Sequence, residues 1–221
     1  MEERRLIMKR YGKLALLAAL LLFLTGCGER ELSFDSIKSG GIFVYPGTRW
    51  NMTPEEVMSA LNLTEKQFTR VSDPSAEEIK GVTDQLFLME QAGVSGLAAD
   101  VCFWFRSYGE TGDLGLKAVT WLFAGDADLE PVRRDITAAL GEPARTDGEH
   151  ALAYWDSEDS LDQYGTFAAE GEPAVSLILV DGPDTALPLA SLPGVGPGAK
   201  ALILGGNVAD VLQLETLGRE P

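Results

Sequence analysis

Three stretches near the middle of the chain, Gln85 to Gln91, Leu97 to Arg106 and Leu116 to Ala124, are rich in Phe, Trp, Val and Leu. Short glycine-containing segments part them, among them Tyr108-Gly109-Glu110-Thr111-Gly112. Aromatic and β-branched side chains suit a pleated surface, and connections this short join antiparallel neighbours. Side chains alternate across a strand, so Val101, Phe103 and Phe105 share one face and Cys102, Trp104 and Arg106 the other. Both faces therefore carry apolar groups. Trp104, with an alternate-face neighbour such as Leu122, lines either a second core layer or a contact surface. Ile42 to Tyr45, closed by Pro46-Gly47, and then Ala151 to Trp155 and Ala174 to Val180 extend the strand series.

Helices are announced by their ends. Before Met58, Thr53 is a capping residue, Pro54 fits the first helical position, and Glu55 and Glu56 meet the positive end of the helix dipole. This predicts a helix through Leu61 with Val57, Ala60 and Leu61 on its buried side. Thr64 with Gln67 has the form of another capping box, and Ser75 to Glu78 repeats it after Asp73-Pro74. A further helix is predicted over Leu129 to Leu140, led in by Asp126 and Asp128 and stopped by Gly141-Glu142-Pro143, with Val132, Ile136, Ala139 and Leu140 as its stripe. With 45% hydrophobic residues in 221, the chain is globular. The order of elements predicts an α+β class, an antiparallel β-sheet with helices packed on one face.

The amino terminus is of a different kind. Arg4, Arg5, Lys9, Arg10 and Lys13 precede an unbroken run of Leu, Ala and Phe from Leu14 to Leu24. That run is shorter than the roughly 20 apolar residues a spanning helix needs, and the layout is that of a signal peptide. The sequence at its end, Leu24-Thr25-Gly26-Cys27, resembles the lipobox of bacterial lipoproteins. The resemblance implies diacylglycerol on the Cys27 thiol, cleavage between Gly26 and Cys27, and a mature protein anchored by lipid on the outer side of a bacterial cell membrane. Two or more acyl chains give stable anchoring. The division expected is a signal peptide over 1–26, a lipidated tether over 27–41, an α+β domain over 42–185 and a Gly/Pro-rich segment over 186–221. An aspartate after the cysteine resembles an inner-membrane retention signal, and Gly28 stands there instead. Cys102 is then the only remaining thiol, which excludes an intramolecular disulfide.

The succession of a helix, Leu140-Gly141-Glu142-Pro143 and a strand with Tyr154-Trp155 is similar to small envelope lipoproteins of the β-barrel-assembly type and to β-lactamase-inhibitor-like folds. Those folds bind other proteins through sheet faces and loops. The resemblance implies a binding module with an envelope protein as partner, and it carries no catalytic residue across.

Residue chemistry points the same way. The chain has a single histidine, His150, and the mature domain offers only Cys102 and His150 as soft or nitrogen ligands, too few for a zinc site or a Ser-His catalytic arrangement. Asp156, Glu158, Asp159 and Asp162 could serve carboxylate-only hydrolysis, but they lack the glycine and the closing glutamate of a calcium loop. No phosphate-cradling glycine loop is present, and no cofactor is expected. Trp50, Trp104 and Arg106 are the partner-binding candidates; Trp50 also suits a hydrophobic cap on the first helix. Leu189 to Leu202, with Pro193-Gly194-Val195-Gly196, resembles a helix-hairpin-helix, which presents backbone amides to a DNA phosphate. Ala199 falls one position early for that family, and Lys200 and Arg219 are the only cations from Leu189 onward. With a net charge of −16 the chain repels phosphate backbones, so nucleic acid is not the expected partner.

Overall fold

The computed structural model describes residues 30–71, 82–108, 114–148, 151–157, 175–181 and 200–206. The strands are β1 (Arg30–Leu32), β2 (Lys38–Ser39), β3 (Ile42–Phe43), β4 (Thr69–Val71), β5 (Val82–Val94), β6 (Leu97–Tyr108) and β7 (Gly115–Phe123), then β8 (Arg145–Asp147), β9 (Leu152–Asp156), β10 (Val175–Val180) and β11 (Lys200–Gly206). A 3-10 turn covers Phe34–Ile37, and two helices, α1 (Pro54–Ala60) and α2 (Glu130–Leu140), complete the set. The α+β class holds.

The main sheet runs β1-β5-β6-β7-β11-β10-β9-β8, with β4 also paired to β5. Uniform antiparallel pairing, expected from the sequence, holds only in part, because the sheet is mixed. The ladders from β4 through β5, β6, β7, β11, β10 and β9 to β8 are antiparallel.

The alternation in β6 sorts as its sequence requires. Val101, Phe103 and Phe105 join one buried layer with Val119, Trp121, Leu177, Leu179, Leu202 and Leu204. Val57 of α1, Val132 and Ile136 of α2, and Phe34 and Ile37 of the 3-10 turn belong to the same layer. Phe103 meets Tyr45 and Phe68 edge-on, with ring centroids 5.1 and 5.3 Å apart, a favoured geometry for aromatic quadrupoles. Cys102 and Trp104 fall in a second layer with Leu86, Ala118, Leu122, Leu152, Ile178, Val180, Ala201 and Ile203, all of them strand residues. Cys102 is fully buried and packs there as a small hydrophobe.

The helix ends are built as their residues dictate. At the start of α1, the Glu56 backbone N–H donates to Thr53 Oγ1, and the Thr53 N–H donates to the Glu56 carboxylate. Such a reciprocal cap contributes about 1 kcal/mol. Gly141 ends α2 at φ 89°, a conformation that favours glycine, and its N–H donates to the Thr137 carbonyl. The Trp155 indole N–H donates to the Gly141 carbonyl at 2.9 Å, fixing α2 to β9. Thr64 and Gln67 form the anticipated side-chain bond, but they close a turn and open no helix.

Three expectations need correction. The stretch read as a tether is structured from Arg30 onward, and Phe34 and Ile37 retain 4% and 0% exposure because they pack into the first layer. The domain also reaches beyond residue 185, since β11 lies between β7 and β10. Finally, Lys200 to Leu204, where the resemblance to a helix-hairpin-helix over Leu189 to Leu202 implies helix, is a strand. Its Ala-Leu-Ile-Leu core has a partner on each side and pays for its desolvation by pairing with both. Ser75 to Glu78 and residues 189–199 lie outside the described residues.

A candidate functional site at the end of the β6–β7 hairpin

Candidate side chains converge where β6, β7 and the segment before α1 meet. Asp84 of β5 and Arg106 of β6 stand directly opposite each other. The Arg106 Nε and Nη2 atoms donate to the two Asp84 carboxylate oxygens at 2.7 and 2.9 Å, a bidentate pair. Asn51 approaches from the other side: its N–H donates to the Leu116 carbonyl, and the Leu116 N–H donates to the Met52 carbonyl. Gly115 leaves room for this bridge, because a β-carbon there would stand only 3.0 Å from the Asn51 Cα and press the Asn51 backbone aside. Asn51 holds φ 64°, a left-handed conformation that asparagine tolerates better than most residues.

Between these two groups sits Lys117. Trp104 is opposite Ala118 and Phe105 is opposite Leu116, so Lys117 is an extra residue on β7 with no partner position on β6. A bulge of this kind re-aims a side chain out of the regular alternation. The Lys117 ammonium donates to Asn51 Oδ1 at 2.5 Å. Burial holds its proton affinity below the ordinary value of 10.5, and the nearby Arg106 cation lowers it further.

This shift has a consequence for stability. Between the lowered value and 10.5, the unfolded chain binds a proton that the folded chain does not, so stability rises with pH across that window. A Lys117→Met variant has no such proton to lose. Urea denaturation is expected to show wild type gaining on Lys117→Met as pH is raised through that window, whereas parallel pH curves would contradict the assignment. The comparison isolates Lys117 from Tyr154, whose proton affinity is raised above 10.0 by burial, with Arg145 opposing and Asp147 and Asp156 adding.

The other candidates are placed as follows. Trp50 is half-buried, packs on the first layer and donates its indole N–H to the Phe43 carbonyl at 2.9 Å, so it fastens the segment before α1 to β3. Trp104 retains only 8% exposure, and its place in the second layer removes it as a surface anchor. Arg106 is at the site, held by Asp84. Asp156 accepts from the Ser176 hydroxyl at 2.5 Å and faces Arg145 at 3.5 Å, which ties it to neighbouring strands. Glu158, Asp159, Asp162, His150, Gly26 and Cys27 lie outside the described residues. Lys200, the cation of the hairpin reading, donates to the Ala127 carbonyl and pairs with Asp181, both at 2.7 Å, and this occupies it within the fold.

Lys117 and Asn51 were not singled out in the sequence. The lysine lies in a strand-like run and looks like an ordinary outward-facing residue; only its register against β6 makes it special. Asn51, between Trp50 and Met52, carried a faint signal as a residue that tolerates a left-handed turn.

No group of three or more metal-ligating side chains occurs among the described residues, and none of their helices is long and apolar enough to cross a membrane. In comparisons with known proteins, no family model, no curated protein and no solved structure matches the chain.

Proposed function

We propose that the chain is a lipid-anchored bacterial envelope protein, tethered through Cys27, whose domain binds another envelope protein without catalysing a reaction. The observation that carries this reading is the sequence Leu24-Thr25-Gly26-Cys27, which stands immediately before the compact unit Glu31–Pro221. A domain joined so closely to its lipid works in a thin layer at the membrane, where a weak interface acts at high effective concentration.

The helices contribute only to the first layer, and the antiparallel ladder from β5 to β8 forms the platform. Its Asn51, Arg106 and Lys117 end is the contact surface in this reading. Among the described residues at that end, Arg106 and Lys117 stand against Asp84, two cations to one carboxylate on a chain whose net charge is −16. An acidic patch on the partner complements it.

Labelled palmitate incorporation tests the anchor: wild type takes up label and Cys27→Ala does not, while label retained by Cys27→Ala overturns the tether. Crosslinking and mass spectrometry on intact cells test the interface. The expected result is an envelope partner crosslinked to residues 50–52 or 115–117, lost on Lys117→Glu and reduced on Cys27→Ala. A partner captured equally by Lys117→Glu overturns this contact surface.

A further inference from the structure

We propose that the β8 edge of the sheet pairs with the β8 edge of a second copy of this chain, antiparallel and two-fold about Thr146. This inference is independent of the anchor and of the contact surface at the β6–β7 hairpin.

Among the described residues, β8 is paired with β9 alone and ends the main sheet. An edge strand offers N–H and C=O groups to any strand that comes alongside. Ala144, Arg145 and Thr146 are exposed, so this edge is open to an approaching strand. The Arg145 guanidinium lies 4.3 Å from the centroid of the Tyr154 ring and 3.5 Å from the Asp156 carboxylate, yet its side chain keeps 57% exposure. A cation already held in place loses less freedom on meeting an anion than a loose one.

Charge selects the occupant. Edges that resist association carry like charges, which repel a copy of themselves. β8 instead reads Arg145-Thr146-Asp147, with opposite charges two positions apart and hence on one face. When two such strands run antiparallel with Thr146 opposite Thr146, Arg145 of each copy stands opposite Asp147 of the other. Opposite charges directly across a ladder attract, and like charges repel. Shifting the register by two positions sets Arg145 against Arg145 or Asp147 against Asp147, and shifting it by one leaves neither charge opposite another. A single register thus carries two complementary pairs, and it is the self-matching arrangement that a two-fold interface needs. The next acidic residues in sequence, Glu142 and Glu149, count to His150 and Pro143 of the other copy, so neither meets another acid.

The test traps the pairing in the full-length protein by mild oxidation of single-cysteine substitutions, read as a disulfide-linked dimer. Thr146→Cys falls opposite itself, with Cβ atoms about 5 Å apart, within reach of a disulfide. Gly148→Cys is the control: it has open space around it, and in this register its two copies stand roughly 13 Å apart, four positions along the strands. Thr146→Cys is expected to dimerise several-fold faster than Gly148→Cys; equal rates overturn the pairing.

Charge exchange tests the register. In the Thr146→Cys background, Arg145→Asp and Asp147→Arg are each expected to slow trapping several-fold, and the double exchange, verified as folded by circular dichroism, to restore it. The double exchange leaves the net charge unchanged, so other acidic residues bear equally on it and on the parent. Net repulsion between acidic chains would instead make Asp147→Arg faster than the parent. That result, or a double exchange as slow as the single ones, overturns the two-fold register.

Discussion

Deleting residues 200–221 is expected to abolish cooperative unfolding, giving a chain without a urea transition and with near-ultraviolet circular dichroism close to that of unfolded protein. β11 pairs with β7 from Lys200 to Gly205 and with β10 from Ala201 to Gly206, so its loss leaves two bare strand edges within the sheet. Leu202, Ile203 and Leu204 are each fully buried, two in the first layer and one in the second. Burying three such side chains contributes roughly 5–9 kcal/mol by transfer. That is comparable to the whole stability of a typical domain, about 5–15 kcal/mol. Ending the chain after Gly206 instead keeps every β11 pairing and is expected to preserve the transition. A full-length urea midpoint in the protein that stops at residue 199 would refute the placement of β11.

Trp121→Ala is expected to cost about 3–5 kcal/mol, read as a large fall in the urea midpoint at unchanged slope. Trp121 is among the largest side chains with no exposure, and its ring stacks on Tyr45 at 5.7 Å. Its neighbours across the ladders, Val101 and Leu202, belong to the same layer, so the void opens at the centre of the core. Trp121→Phe keeps part of the stack and is expected to lose less than half as much. Trp50→Ala provides the contrast: at the half-buried rim, its loss removes one indole hydrogen bond and a partial contact, and the midpoint is expected to move far less. A loss for Trp121→Ala no greater than that for Trp50→Ala would contradict the layer assignment.

Elements whose cause is local were legible in the sequence. Thr53, Pro54 and Glu56 specify the start of α1 through bonds within one turn, and Gly141 specifies the end of α2. The strands β5, β6 and β7 declare themselves by aromatic and β-branched runs, and the two-face alternation of Val101 to Arg106 follows from strand geometry alone. The strand β11 was hidden by its neighbours, because Pro193 to Gly198 reads as a turn before a helix. Ala201-Leu202-Ile203-Leu204 bounded by Gly205-Gly206 was nonetheless a short apolar run of the kind a fully buried strand shows. Phe34 and Ile37 were obscured in the same way by polar neighbours.

The site was less legible because its causes are long-range. Arg106 was a candidate by its position at the end of β6, yet its Asp84 partner depends on cross-strand register. Lys117 gains its environment from a one-residue mismatch between two strands and from an asparagine far away in sequence. Trp104 reads as an exposed anchor only if the sheet has one covered face; burial of both layers makes it core.

The position of β11 also sets an order of events as the chain is made. The last of the described strands lies between β7 and β10, and β11 is what joins the ladder β5-β6-β7 to the ladder β8-β9-β10. Hairpins form early because their contacts are close in sequence, whereas pairing that spans much of the chain comes late. A chain emerging amino terminus first therefore holds two half-sheets with open edges until residues 200–206 arrive. Up to that moment the inner edges of β7 and β10 lack the strand that lies between them, and residues 200–206 are the clasp that closes one sheet out of two.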